Sequence, residues 1–574
     1  MTWTTVFPTE DLPQGSISVF KKDEHQIAVV HTQTGDVYAI DNRCPHEGYP
    51  LAQGTVSGCV LTCNWHNYKF DLRDGSCVMG EEAVRSYPAR IANHQIQVDL
   101  SPPDIEKVKK DLWKSMDEGM IENQMGRVAR DAVRLIEQGV LASSIAVYGA
   151  RWDAKYAKYG STHALPVAAD ILHWLPLYPE AQAVVPLIQS LDVAARPHIR
   201  RPARFRPEPM DPGSPGHAHQ AFIQAVEAED AAQAEALVRG AIEKGWDSKV
   251  YRAWLLDAVG AHFLDFGHQL IYLVKLLELM ERTGEAHADE LVGSYVFGLV
   301  NGTREDLLPD WKTLNLHLAS LDDEVEPLFE ATTTHANPRW SDGESLKAAI
   351  LDGKRRDVFA AVTDALRKRA PLTELAAILS EAAGERMLRF DADLDPDPSI
   401  QDSWLSVTHI QTYMAALRQT VDRYPQPACI RLLFFGAFFC NKARGLDHDQ
   451  DWQVDPWSKH DGLEPLLAAI HNKQRPEALA RILAWHESGH DLQPFKKAIM
   501  EVCVEDPATR PIVIAHIIKN TIVAFEEYEA LDSPVPLLAL VALLTSPLKE
   551  RRIHRVAKEA LAFVTEGKVP KSIM

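Results

Sequence analysis

Two stretches near the start of the chain, CPHEGYPLAQGTV at 44–56 and CNWHNYKFDLRDGS at 63–76, decide how the first part of this protein folds. Each carries a cysteine and a histidine at short spacing, Cys44-Pro45-His46 and Cys63-Asn64-Trp65-His66. Two such loops can each give one ligand to each iron of a [2Fe-2S] cluster, with the thiolates on one iron and neutral imidazoles on the other. Exchanging two thiolates for imidazoles raises the reduction potential above that of an all-cysteine cluster. Gly48 and Gly54 in the first loop, and Asp71 and Gly75 after the second, supply the tight turns such a clamp needs. Zinc also takes Cys and His, but Cys-x-His followed by Cys-x-x-His is not the usual zinc order. Cys44, His46, Cys63 and His66 are therefore the expected cluster ligands.

These motifs resemble the Rieske ferredoxin domains of oxygenase systems over about the first hundred residues. The chain departs from the usual pattern at Asn64, where Pro is common, and at Asn67, where Gly is usual. Asn tolerates left-handed backbone angles better than most residues, so the second departure is mild. The high-potential relatives brace the cluster with an extra cysteine in each loop; here the corresponding neighbourhoods read His46-Glu47-Gly48 and Cys63-Asn64-Trp65. Cys59 and Cys77 lie elsewhere and read as unpaired thiols.

Composition changes near Ser101-Pro102-Pro103. Before it, Ser16 to Phe20, Gln26 to His31, Val37 to Ile40 and Ile96 to Leu100 are short β-branched or aromatic runs between turn residues, as a small antiparallel domain requires. After it, apolar residues recur at helical spacing, as in Val133, Ile136, Val140 and Leu141. The expected architecture is multidomain: a small all-β domain over 1–101 and a large all-α domain over 102–574. A Pro- and Gly-rich surface connection over 196–216 interrupts the second.

The helical part repeats. FLDFGHQLIYLVKLLEL around His268, WLSVTHIQTYMAALRQT around His409, PIVIAHIIKNTIVAFEE around His516 and YGSTHALPVAADILHWL around His163 are each an apolar stretch about one histidine. Each is followed by a second apolar run, and three are preceded by segments of the type AEALVRGAIEKG, RDVFAAVTDALRKR and PEALARILAWHESG. About four degenerate units follow from this, with insertions such as the acidic stretch Asp391 to Pro398. Packing asks for leucine and alanine at buried repeat positions, not for an imidazole at one register in every unit. Converging on a common axis, four imidazoles would suit Fe(II). His163, His268, His409 and His516 are the candidates for a mononuclear non-haem iron site, with His262 and His173 as competitors. One heptad on, Asp170 lies beneath His163 and Lys275 beneath His268; either could tune the site, though an ion pair is the commoner role. Against this stands the plain reading that buried histidines among 23 are satisfied by carbonyls.

THALPVAADIL and GHQLIYLVKLLEL make the helical part similar to the questin-oxidase-like family, whose members oxidise and cleave aromatic, quinone-type polyketides. The resemblance implies an iron bound mainly by histidines, matched by His163, His268 and His409, and a carboxylated lysine as a further ligand. IQTYMAALR after His409 offers no lysine, which leaves Lys275 as a substitute. Asp257, His262 and His268 mimic the 2-His-1-carboxylate site of ring-hydroxylating oxygenases in composition, but not in spacing.

The expected activity is an oxygenase. An external NAD(P)H-dependent reductase would feed the cluster, and O2 and a small organic substrate of aromatic or quinone-like type would meet at the second iron, with Trp174, Phe263, Phe266, Tyr272, Trp404 and Tyr413 as candidate lining residues. The alternative is a Rieske electron carrier or redox sensor on a helical protein-binding scaffold. A formal charge of -20 argues against nucleic acid, and the one basic stretch, Arg196 to Arg206, reads as a linker or docking surface. The runs Pro534 to Thr545 and Leu432 to Cys440 are too short to span a bilayer. MTWTTVFPTEDLPQG has no secretory-signal order, and seven cysteines without a disulfide framework point to the reducing cytoplasm.

Overall fold

A computed structural model describes residues 3–546, apart from 24, 395–402, 449–451, 453–454, 456, 458–461, 490 and 506–509. The chain divides after Val140 into two compact units. Within the first, three antiparallel sheets are built from short strands. Gln95–Asp99 is flanked by Trp3–Pro8 and Ala89–Ala92; Ser16–Lys22, His25–His31, Val37–Asp41 and Ser86–Tyr87 pair in that order; and Thr55–Ser57, Val60–Thr62, Lys69–Asp71 and Cys77–Met79 form the third sheet. The third sheet consists of strands too short to stand out in the sequence.

Strand His25–His31 is buried on both faces. Ala28 and Val30 point into a core with Ile40, Leu51, Leu61 and Phe70 that also takes in Cys44 and Cys63. Ile27 and Val29 point into a second core with Leu12, Ala39, Ile96 and Val98. Side-chain alternation along one strand thus supports both the ligand loops and the outer sheet.

The first unit does not end where the composition changes. Helix Met125–Glu137 supplies Arg130 and Arg134 to Glu82, which is 2% exposed, with Arg134 Nη1 at 2.9 Å. A buried carboxylate left without these partners would be costly, so the helix belongs with the β domain.

The helical portion follows one pattern four times in chain order: two helices, a third, a histidine-bearing helix and an apolar helix. The first pass is Ile105–Ile121, Met125–Glu137, Ala142–Tyr156, Ala164–Trp174 and Val184–Ala195. The second is Pro215–Glu227, Ala231–Glu243, Ser248–Ala261, His268–Thr283 and Ala288–Asn301, and the third Gly343–Asp352, Arg355–Arg367, Leu372–Arg389, Ser403–Arg423 and Ala428–Lys442. The fourth is Leu463–His471, Arg475–Glu487, Leu492–Val504, Pro511–Leu531 and Val535–Thr545. Met125–Glu137 completes the set of second helices, of which the sequence pattern displays three. Of the insertion Asp391 to Pro398, residues 395–398 lie outside the described residues.

The repeat extends to backbone angles. Each second helix ends on a left-handed residue: Gly139, Gly245, Arg369 and Gly489. In the first three the following amide bonds back five residues, as in Val140 N to Leu135 O, Trp246 N to Ala241 O and Ala370 N to Ala365 O. Glycine takes this cap without penalty, whereas Arg369 carries the Cβ cost.

The 196–216 connection is irregular from Ile199 to Ser214 but not a free surface loop. The Arg204 guanidinium is buried against Glu235 at 2.7 Å, Arg206 binds Asp289, and His198 meets Asp153 at 2.9 Å. Arg204, Arg206 and His198 are thus anchors within the helical unit, which removes them from any docking surface, whereas Arg196, Arg200 and Arg201 are exposed. Among the described residues, no helix is long and apolar enough to cross a membrane.

Replacing Arg369 by Gly should raise stability by about 1 kcal/mol and replacing Gly245 by Ala should lower it by about as much, because only glycine is unstrained in the left-handed cap. Thermal melts of the two variants should move in opposite directions; parallel shifts would show that the cap does not govern them.

Candidate metal centres

The two ligand loops of the first unit are near copies at the backbone level. Cys44 N donates to Tyr49 O at 2.9 Å and Cys63 N to Tyr68 O at 2.7 Å; Gly48 N donates to Cys44 O at 2.8 Å and Asn67 N to Cys63 O at 3.0 Å. The fourth residue after each cysteine is left-handed, Gly48 with φ 77° and Asn67 with φ 61°. Asn67 therefore does the work of the usual glycine, as its side chain permits. Asn64 holds the second loop to the first: its Nδ2 donates to Gln53 O at 2.8 Å, and Thr55 Oγ1 donates to its Oδ1 at 3.2 Å.

These loops bring His46 Nδ1 and His66 Nδ1 to 3.2 Å of each other at the surface, while Cys44 and Cys63 lie buried beneath. Burial pushes the Cys44 thiol up to about 11; a bound metal deprotonates such a thiol outright. Inner thiols and outer imidazoles fit a cluster with one iron in the core and one near solvent. Tyr68 stacks on His46, and Trp65, 60% exposed, stacks on Tyr49 and donates to Glu47 at 3.1 Å. All seven cysteines are free, so no disulfide braces the site.

In the second unit the helices Ala164–Trp174, His268–Thr283, Ser403–Arg423 and Pro511–Leu531 pack in a closed ring, each against two neighbours. His163 caps the first, His268 opens the second, and His409 and His516 lie within the others. Their rings meet on the axis. His409 Nε2 is 2.7 Å from His268 Nε2, His268 Nε2 is 3.2 Å from His163 Nε2, and His163 Nε2 is 3.1 Å from His516 Nε2. One nitrogen from each lies within 4.8 Å of all the others.

The outward nitrogens have their own partners. His409 Nδ1 donates to Leu405 O at 2.5 Å, which leaves a bare lone pair on its Nε2. The Tyr272 hydroxyl lies 3.1 Å from His163 Nδ1, and the Thr408 hydroxyl 3.4 Å from His516 Nδ1. Burial, and then the charge of Lys519 or, for His409, that of His268, hold all four imidazoles below their ordinary range, His268 at about 3. Four neutral imidazoles turning nitrogens on one point, oriented from behind, have the form of a metal-binding set.

The competing residues lie elsewhere. His262 binds Asp306 at 2.8 Å and Glu227 at 3.3 Å. His173 binds Glu278 at 2.5 Å, in a network where Lys275 reaches Asp170 at 2.8 Å and Glu278 at 2.9 Å. Asp170 and Lys275 thus form a buried ion pair, which rules Lys275 out as the free lysine of the site. Asp257 pairs with His219 at 3.1 Å. Of the aromatic candidates, Tyr272 and Phe266 touch the histidine cluster, whereas Phe263 and Tyr413 pack with Trp311 and Phe439, Trp404 packs with Phe390, and Trp174 is core.

Lys519, one turn after His516, is the residue that sequence reasoning missed. It is 1% exposed, its Nζ has no hydrogen-bond partner among the described residues, and burial draws it down to about 7. It shares a small cavity with Asp170, Lys275, Thr412 and Gln419. Its signal was a lone cation in the apolar run PIVIAHIIKNTIV.

Comparison with known proteins bears on the first unit. Residues 2–89 match the Rieske [2Fe-2S] domain model. The ferredoxin component of the p-cumate 2,3-dioxygenase system of Pseudomonas putida is 32% identical over 16% of this chain and 80% of its own length. Cholesterol 7-desaturase of Hemicentrotus pulcherrimus is 33% identical over 15% of this chain, and the match spans only 19% of that protein. The ferredoxin of carbazole 1,9a-dioxygenase from Nocardioides aromaticivorans IC177 is 27% identical, covering 18% of this chain and all of that one, with a TM-score of 0.17. Relatives of the domain thus serve oxygenase systems. With paired loops, buried thiols and facing imidazoles in place, the chain belongs, through its N-terminal domain, to the Rieske [2Fe-2S] family.

Proposed function

We propose that this chain is a Rieske-coupled non-haem iron oxygenase. Electrons from NAD(P)H, delivered by a separate reductase, enter at the [2Fe-2S] cluster held by Cys44, His46, Cys63 and His66. His163, His268, His409 and His516 would hold a mononuclear iron, which would supply the chemistry for oxidising a small organic substrate of aromatic or quinone-like character with O2. The observation that carries this reading is the convergence of four Nε2 atoms from four repeats. Several first-row ions suit imidazole; a one-electron donor domain in the same chain selects a redox-active one. Joining donor and acceptor in one chain gives them a high effective concentration.

Bound iron would supply the one-electron chemistry that O2 requires. The protein's own residues keep the site in order. The Leu405 carbonyl fixes the tautomer of His409, and the Tyr272 hydroxyl orients His163. Lys519 takes the place that the questin-oxidase-like resemblance gives to a carboxylated lysine, since its nitrogen is uncommitted and near neutrality. Seven free cysteines support a reducing, cytoplasmic setting.

The second reading, an electron carrier on a helical scaffold, draws support from the ferredoxin component matched over most of its length. Metal content separates the two, because a carrier holds cluster iron alone.

Metal analysis of the purified protein should find one iron beyond the cluster pair, and His268→Ala should remove it while preserving the reduced-cluster EPR signal. Cys63→Ser should do the reverse, and both variants should lose NAD(P)H-dependent product formation. Cluster iron alone in the wild-type protein would establish the carrier reading. Tyr272→Phe should weaken metal binding about 10–100-fold, as loss of a ligand's outer partner does, measured by competition with a chelator. Protein grown with 13C-bicarbonate should show a carbamate carbon resonance that Lys519→Arg abolishes; its absence from the wild type would remove Lys519 from the ligand set.

A further inference from the structure

Three consecutive residues immediately before His268 are left-handed: Asp265 with φ 48°, Phe266 with φ 54° and Gly267 with φ 80°. Aspartate tolerates this region and glycine is at home there, but a bulky aromatic is a genuine outlier. Gly267 has a packing reason as well, since a Cβ would stand 2.4 Å from Tyr413. Phe266 has none that its backbone could claim. Asparagine or glycine would make the same turn at less cost, so the position is held for its side chain.

The turn is clamped rather than loose. Phe266 N donates to Glu305 Oε1 at 2.6 Å, Thr303 N donates to Asp265 Oδ1 at 2.7 Å, and Asp265 N donates to Thr303 O at 3.0 Å. Behind it, Phe263 N donates to Asp306 Oδ1 at 3.2 Å, and Asp306 also takes His262 at 2.8 Å. Strain of this kind persists only where the surroundings over-determine it, and it gathers at functional sites.

The ring so held is 37% exposed, yet its centroid lies 6.1 Å from that of buried His409. His163 and His268 are partly exposed whereas His409 and His516 are buried, so the cluster lies nearest to solvent at His163 and His268, and Phe266 stands two residues before His268. The turn carrying Glu305 continues into Leu307 and Leu308, both exposed. An exposed aromatic ring beside the histidine cluster gives that polar centre an apolar approach.

We propose that Phe266 is a specificity-determining residue: its ring is the wall against which a flat aromatic substrate stacks at the mouth of the four-histidine centre. This rests on reading that centre as the reaction site, but the wall can be tested without turnover. Stacking favours a planar ligand over a saturated one of equal size.

The test is calorimetric binding of 1-naphthol and of decahydro-1-naphthol to the full-length protein as purified, with metal content measured on the same samples. Wild type should prefer 1-naphthol by about fivefold or more. Phe266→Gly should erase the preference while melting no lower than wild type, since the turn is relieved; Phe266→Trp should keep it. Absence of saturable binding to wild type, or a preference that survives Phe266→Gly, overturns the proposal. Ring-dependent binding to protein lacking mononuclear iron would instead overturn the iron reading and leave the wall standing.

Discussion

The helical unit is organised around one electrostatic constraint: four imidazole nitrogens face each other at hydrogen-bonding distances, and at least the His409 nitrogen has no proton to offer. Lone pairs aimed at a common point repel unless a cation sits among them, and the burial of His409 and His516 limits what water can do in its place. The closed ring of four helices, the backing groups on the outer nitrogens and the near-neutral Lys519 all make sense as a frame for that point. The column below it is polar for the same reason. Asp170, Lys275 and Glu278 neutralise one another there, with Glu526 3.5 Å from the lysine, in a position where a bundle would ordinarily place leucine.

How much of this was legible depended on whether a signal was local. The cluster loops could be read directly because ligand identity and spacing are carried by adjacent residues. The register of His163, His268, His409 and His516 could be read because each sits in an apolar run with similar flanks. Lys275 and Lys519 could not be told apart, because each is a lone lysine in a helix and the difference lies in a partner far off in sequence: Asp170 takes one and leaves the other. The end of the first unit was hidden for a similar reason. Met125–Glu137 looks like any repeat helix, and its tie to Glu82 is tertiary. Arg204 misled because a basic, proline-rich stretch looks solvated, while its carboxylate partner waits on a distant helix.

The two centres differ in how their ligands are gathered. The cluster loops fold locally, with cysteine and histidine two or three residues apart and the two loops joined by short strands. The second cluster draws one imidazole from each of four helical units, so no repeat alone can build it. Tandem repetition here multiplies a functional side chain as well as a surface.

The long separation between His163 and His516, 353 positions, sets an order of assembly. A ribosome finishes the ligand loops of the N-terminal domain early, and that domain can accept its cofactor while the rest of the chain is still being made. The helical centre has no fourth wall until Pro511–Leu531 has emerged, so an ion held there, as proposed, would tie the earliest histidine helix to the last. Such a clasp would close a loop far longer than most disulfides do, and the entropy it would remove from the open chain grows only logarithmically with that length.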